Sequence, residues 1–152
     1  EENGAAATRA RMRRRFANLN EAEPPESARR AIVAIQGLLQ GASDDLGDIV
    51  LDMSAVSEFH QRIYAIARRI PPGQTRTYGE IAAELGDKGL SRAVGQAMGH
   101  NPFAPVVPCH RVLAAGNKPG GFSAGGGALT KLRMLDIEGA RPNGMASLFQ
   151  QP

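Results

Sequence analysis

The rhythm of apolar and polar positions changes along the chain, and that rhythm predicts its elements. Residues 5–16 are rich in Ala and Arg and read as a helix, with Arg13-Arg14-Arg15 as a solvated face; residues 22–25 interrupt it. Ser27 is expected to open a second helix that places Ile32, Ile35, Leu38 and Leu39 on one face and ends near Gly41. An acidic loop follows at 44–48, and Ile49-Val50-Leu51, between aspartates, reads as a short strand. From Ser57 the helical period returns: Phe59, Ile63, Ile66 and Ile70 share a face until Pro71-Pro72-Gly73 ends it. Thr77-Tyr78-Gly79-Glu80 is a capping box, so a helix starts there and runs to about Leu85, with Gly86 as its stop. Asp87-Lys88-Gly89 turns the chain toward Ser91, the expected N-cap of a helix reaching about Met98 and stopped by Gly99. Two short helices on a tight glycine-containing turn fit a helix-turn-helix, although any small helical hairpin shares that pattern. Beyond Asn101 the chain is rich in Pro and Gly, with a glycine-rich loop over 116–127. A last helix over 128–138 is expected to bury Leu132, Leu135 and Ile137 before Gly139 ends it.

Composition narrows the class. At 152 residues the chain suits one domain, or one with a small appendage. No apolar run approaches the roughly 20 residues of a membrane span. No charged-then-apolar leader is visible, so a secretory signal is not expected. The chain begins at Glu1 rather than Met, which fits a processed or trimmed chain. Residues 1–55 hold seven Arg against nine acids, whereas residues 56–152 hold eleven Lys or Arg against six. The positive field therefore sits in the second part and favours a polyanion such as nucleic acid, though a merely soluble basic surface has the same charge.

The candidate chemistry centres on the single cysteine, in Pro108-Cys109-His110-Arg111. One Cys can form neither an internal disulfide nor a multi-thiolate zinc site, and it fits a reducing, intracellular setting. A lone Cys is usually a small hydrophobe. Here Pro108 fixes the backbone, and His110 and Arg111 stand beside the sulfur in sequence. Such neighbours are expected to lower the thiol pKa and enlarge the nucleophilic thiolate population.

Asn101-Pro102, four residues, then Val107-Pro108-Cys109-His110-Arg111-Val112 resembles the signature of the O6-alkylguanine-DNA alkyltransferases, also called methylated-DNA–protein-cysteine methyltransferases. Ile70-Pro71-Pro72-Gly73 with Thr77-Tyr78-Gly79-Glu80-Ile81-Ala82, then Arg92-Ala93-Val94-Gly95-Gln96-Ala97-Met98, Gly120-Gly121-Phe122-Ser123 and Leu135-Asp136-Ile137-Glu138-Gly139 are similar to the family's other blocks, in order. The likeness covers about residues 57–140. It implies an α+β fold: a mostly helical C-terminal domain with a helix-turn-helix and an active-site loop, preceded by a small, incomplete α/β subdomain. The expected divisions are 1–55, 56–145 and a 146–152 tail.

The implied activity is irreversible transfer of an alkyl group from O6 of guanine in double-stranded DNA to Cys109, once per molecule and without a cofactor or metal. By the same resemblance Glu138 orients His110, which deprotonates Cys109 through a water, and Asn101 holds the active-site turn. Arg92 fills the space of the extruded base, Tyr78 crowds the 3′ phosphate, and Ala93 and Gly95, with Ala97, let the helix approach the groove. Arg111 is placed with the DNA-binding residues. Met98, Val112, Phe122 and Ser123 form the base pocket, with Ser123 as donor to O6. Phe122 stands where many members carry Tyr, and the loop at Ser123-Ala124-Gly125-Gly126-Gly127 is about two residues longer than the common pattern. O4-alkylthymine is a further candidate substrate. The expected protein is a monomer, intracellular and on the nucleoid or in a nucleus when bound to DNA. The other readings are a non-catalytic sensor of alkylated DNA, against which Cys109 counts, and a helix-turn-helix regulator with a structural cysteine. A cysteine hydrolase lacks an identifiable oxyanion site.

Overall fold

The computed structural model describes residues 4–142 of the chain. Its core is organised by a helix, here α3 (Glu58–Arg68), that Ser57 caps by accepting a bond from the His60 N–H at 3.4 Å. Its apolar period turns Ile63, Tyr64, Ile66 and Ala67 inward, and Ile70 continues the buried line. Tyr64 satisfies its one polar atom by donating to the Ala97 carbonyl at 2.9 Å, so the ring is buried without an orphaned hydroxyl. This helix packs on the next two, α4 (Tyr78–Glu84) and α5 (Ser91–Gly99). Their residues Ile81, Ala82, Val94, Ala97 and Met98 join Val107, Cys109 and Val112 in one core cluster.

The capping box at the start of α4 is complete. The Thr77 Oγ1 accepts from the Glu80 N–H at 3.2 Å, and the Glu80 carboxylate accepts from the Thr77 N–H at 2.6 Å. Just before it, Arg76–Thr77 (β1) pairs in parallel with Val112–Leu113 (β2), in the register Arg76 to Val112 and Thr77 to Leu113. The last helix, α6 (Gly127–Ile137), buries Lys131 and Leu135, while Leu132 and Ile137, expected in the core, are half-exposed.

Ser91 is not an N-cap. The chain enters α5 through a 3-10 turn over Lys88–Leu90 and is already helical at Leu90 (φ −74°, ψ 0°), so there is no extended cap residue to fill. Ser91 instead donates to the Lys88 carbonyl at 2.7 Å. Gly99 lies inside the helix, and His100 terminates it.

The N-terminal part departs further from expectation. The helix predicted over 5–16 is present as α1 (Gly4–Arg15), but none of its residues is buried. The second, α2 (Glu26–Leu39), begins after an extended Pro25 rather than at a Ser27 cap, and it buries only Leu38; Ile32 and Leu39 are exposed. Half of the expected stripe is therefore unused. Ile49-Val50-Leu51 forms no strand, and Val50 is 93% exposed. Ile49 and Leu51 do turn inward, against Leu38, Leu46 and Val106. The Arg68 guanidinium takes the role a neighbouring strand would have, donating to the carbonyls of Leu46, Gly47 and Ile49 at 3.2, 2.9 and 2.8 Å. The α+β class holds, yet among the described residues the strands lie only in the C-terminal part. No helix among the described residues is long and apolar enough to cross a membrane.

Candidate active site

Cys109 opens a 3-10 turn over Cys109–Arg111 that follows Pro108 (φ −82°, ψ 67°) and leads directly into β2. Asn101 builds the turn from six residues upstream. Its side-chain amide donates to the Val107 carbonyl at 2.7 Å, and its oxygen accepts from the Phe103 N–H at 2.9 Å. Cys109 as a residue is 6% exposed. Burial pushes its pKa up, against the Asn101 side chain, the charge of Lys131 and two backbone bonds. The lowering expected from His110 and Arg111 side chains does not occur, because both point away into the core.

They point to Glu138, which follows α6. His110 Nε2 lies 2.8 Å from the Glu138 Oε1. The Arg111 Nε and Nη2 donate to the same carboxylate at 2.8–3.2 Å, and its Nη1 donates to the Ile70 carbonyl at 2.7 Å. With 1% of its surface exposed, Arg111 cannot reach a phosphate, and its expected place among the DNA-contacting residues is corrected. A carboxylate at a helix C-terminus faces the negative end of the dipole. Burial adds to that cost, but the bonds from His110 and Arg111 outweigh both and bring the Glu138 pKa down to about 2. His110 itself is pushed below the ordinary imidazole range by burial, with Glu138 opposing. It is therefore neutral at pH 7. With its Nε2–H donated to the carboxylate, Nδ1 carries the lone pair, and that atom has no hydrogen-bond partner among the described residues.

A residue that the sequence reading missed completes the site. Lys131 is 1% exposed and donates from Nζ to the Val112 carbonyl at 2.6 Å. The ammonium lies 5.7 Å from the Tyr78 ring centroid and 5.8 Å from that of Phe122, both within cation–π range. Burial lowers its pKa to about 8, with the Cys109 charge opposing. The signal for it was the spacing 131, 135, 138, which puts Lys131 on the same inward face of α6 as Leu135 and Glu138.

In front of the sulfur opens a cleft of about 780 Å³. Cys109, Met98, Tyr78, Phe122 and Ser123 line it, with Arg92 and Gly95 of α5 at its edge. Arg92 is exposed, and the Gly95 Cα faces open space. Ala93 is half-buried, whereas Ala97 faces the core. Val112, expected in the base pocket, is fully buried and lies behind the cleft; its carbonyl anchors Lys131 instead. Asn101, His110 and Glu138 likewise do not line the cleft. Among the described residues no group of three or more His, Cys, Asp or Glu is gathered as metal ligands would be.

The arrangement has known counterparts. Residues 58–140 match the family model for the DNA-binding domain of 6-O-methylguanine DNA methyltransferase. The methylated-DNA–protein-cysteine methyltransferase of Mycobacterium tuberculosis H37Rv is 42% identical over 123 residues, covering 74% of this chain and 73% of its own. That of Methanothermobacter thermautotrophicus is 35% identical over 125 residues, covering 82% and 69%. The crystal structure of M. tuberculosis OGT in complex with DNA superimposes with a TM-score of 0.63 at 40% identity, over 72% of this chain and 65% of that one. The chain thus spans slightly less than two thirds of the crystallised protein. With the family's domain matched over more than half of its length, this chain belongs to the 6-O-methylguanine DNA methyltransferase family.

Proposed function

We propose that the protein repairs DNA by direct reversal, moving an alkyl group from O6 of guanine to the sulfur of Cys109. One observation carries this reading: a cysteine at the wall of a cleft roomy enough to admit a base, backed by a neutral histidine whose far nitrogen is anchored on a buried carboxylate. The Cys109 proton passes to the His110 Nδ1 through a water, and Glu138 stabilises the imidazolium that results. Lys131 and Asn101 favour the thiolate that remains. The thiolate attacks the alkyl carbon, the S–C bond forms, and the C–O bond breaks with its electron pair going to the purine oxygen. That charge needs a donor. Ser123 supplies one at O6; Phe122 has no hydroxyl to give, so it flanks the purine as an apolar face.

The target atom lies inside the duplex, so the base is extruded. α4, the turn and α5 form the helix-turn-helix; α5 enters the minor groove, Gly95 and Ala93 allow close approach, Arg92 occupies the vacated stack and Tyr78 crowds the 3′ phosphate. The thioether has no route back to thiol, so each molecule acts once. Residues 56–145 form the DNA-binding and acceptor unit and residues 1–55 a separate subdomain; the end of the former and the 146–152 tail lie outside the described residues. Duplex DNA as substrate places the protein inside the cell, on the nucleoid or in a nucleus.

The test mixes the protein with duplex DNA bearing O6-methylguanine and maps peptides by mass spectrometry. The peptide containing Cys109 gains one methyl group. Cys109→Ala abolishes transfer and retains DNA affinity. A Cys109 peptide left unmodified ends the proposal.

A further inference from the structure

Helix α1 has no place in the repair chemistry described above. Five of its twelve residues are Arg, it contains no acid, and none of its side chains is buried. Arg9 and Arg13 pair with Glu21 at 3.0 and 3.1 Å, across exposed surface, and Arg15 stacks over the Phe16 ring. The Arg11 and Arg14 side chains are exposed and make no hydrogen bond or ion pair among the described residues. A lone helix of this length, without a packed face, is marginal in water. Its composition supplies no apolar stripe for a protein core: Met12 is its only large apolar residue, at 46% exposed. What it does supply is a dense row of guanidiniums, the group best matched to phosphate.

We propose that α1 is a second DNA-contacting element, an arm whose Arg11, Arg14 and Arg15 bind duplex phosphates beyond the footprint of the helix-turn-helix. The inference rests on the reading of DNA as the substrate. Charge complementarity chooses the occupant: α1 carries five Arg and no acid, and of these only Arg9 and Arg13 form ion pairs among the described residues, whereas a duplex presents a phosphate about every 1.7 Å along its axis. The tether also favours it. Residues 16–25 tie the arm to the same chain as α5, so once α5 is on DNA even weak phosphate contacts by the arm are intramolecular and act at a raised effective concentration.

The experiment measures the affinity of the full chain for undamaged duplex DNA across a salt series. In Arg11→Ala/Arg14→Ala/Arg15→Ala the slope of log K against log salt becomes shallower by about 2 to 3, close to 0.9 for each phosphate released. Changing the same three residues to Lys retains the parental slope, because phosphate neutralisation needs the charge rather than the fork. A parental slope in the Ala variant overturns the proposal, and so does an unchanged slope accompanied by loss of self-association, which assigns the arm to a second copy. Methyl transfer to Cys109 is read on the parent chain in the same preparation, so a failure of the repair reading appears there and leaves the slope comparison intact.

Discussion

Glu138 concentrates more of the site's electrostatics than any other side chain, and two predictions follow from the groups it and Lys131 hold. The unfolded chain takes up a proton on Glu138 near the ordinary 4.5, whereas the folded protein resists until about 2. Stability from this group is therefore full above pH 4.5 and lost as pH falls toward 2, to the extent of about 3 kcal/mol. His110 acts in the same direction at higher pH, since its folded pKa lies below that of the unfolded chain. Urea-unfolding midpoints measured from pH 7 to pH 2 fall for the parent, and Glu138→Gln flattens the lower part of that curve. Lys131→Met removes the cation nearest the sulfur while keeping its bulk. The single-turnover transfer rate at neutral pH falls about tenfold, and the acid limb of the rate profile moves up by about one pH unit. A lower rate with an unmoved limb assigns Lys131 to packing alone.

Among the elements, the capping box shows how local chemistry was legible in the sequence. Thr77 and Glu80 satisfy each other's backbone amides without help from the rest of the fold, so four residues suffice to place the start of α4. Glu80→Ala costs about 1 kcal/mol, measured as a shift in the urea midpoint. Ser91 failed as an N-cap for a reason the same logic exposes: its neighbour upstream was already turning as a 3-10 helix, which no residue type announces. Ile49-Val50-Leu51 looked like a strand because β-branched runs favour extended backbone, but a strand needs a partner, and here Arg68 claims the carbonyls. Lys131 was missed for a different reason, although its spacing with Leu135 and Glu138 put it on the inward face of α6. A lysine on an inward helical position reads as an irregularity in the pattern, and only the tertiary approach of Val112, Tyr78 and Cys109 makes it a buried cation. The motif around Cys109 pointed to a sulfur that does line the cleft and misplaced Arg111, because residue order cannot say which way a side chain turns.

For the whole molecule, the described residues divide by how firmly they are held. The core around Tyr64 and Cys109 is continuous from α3 to β2, and a smaller cluster at Leu38, Leu46 and Val106 ties α2 to it. α1 has neither. Trypsin accordingly cuts first at the arginines of residues 9–15, and mass spectrometry of the early fragments finds the segment from α3 to α6 intact. The parallel pair β1–β2, only two residues long on each side, joins two otherwise separate jobs. Thr77 starts the first helix of the proposed helix-turn-helix, and Val112 continues the turn that carries the sulfur. On the proposed repair reading, a displacement of that helix by a badly seated duplex would be passed through one hydrogen-bonded rung to the nucleophile. A poorly seated strand would then arrive already misaimed.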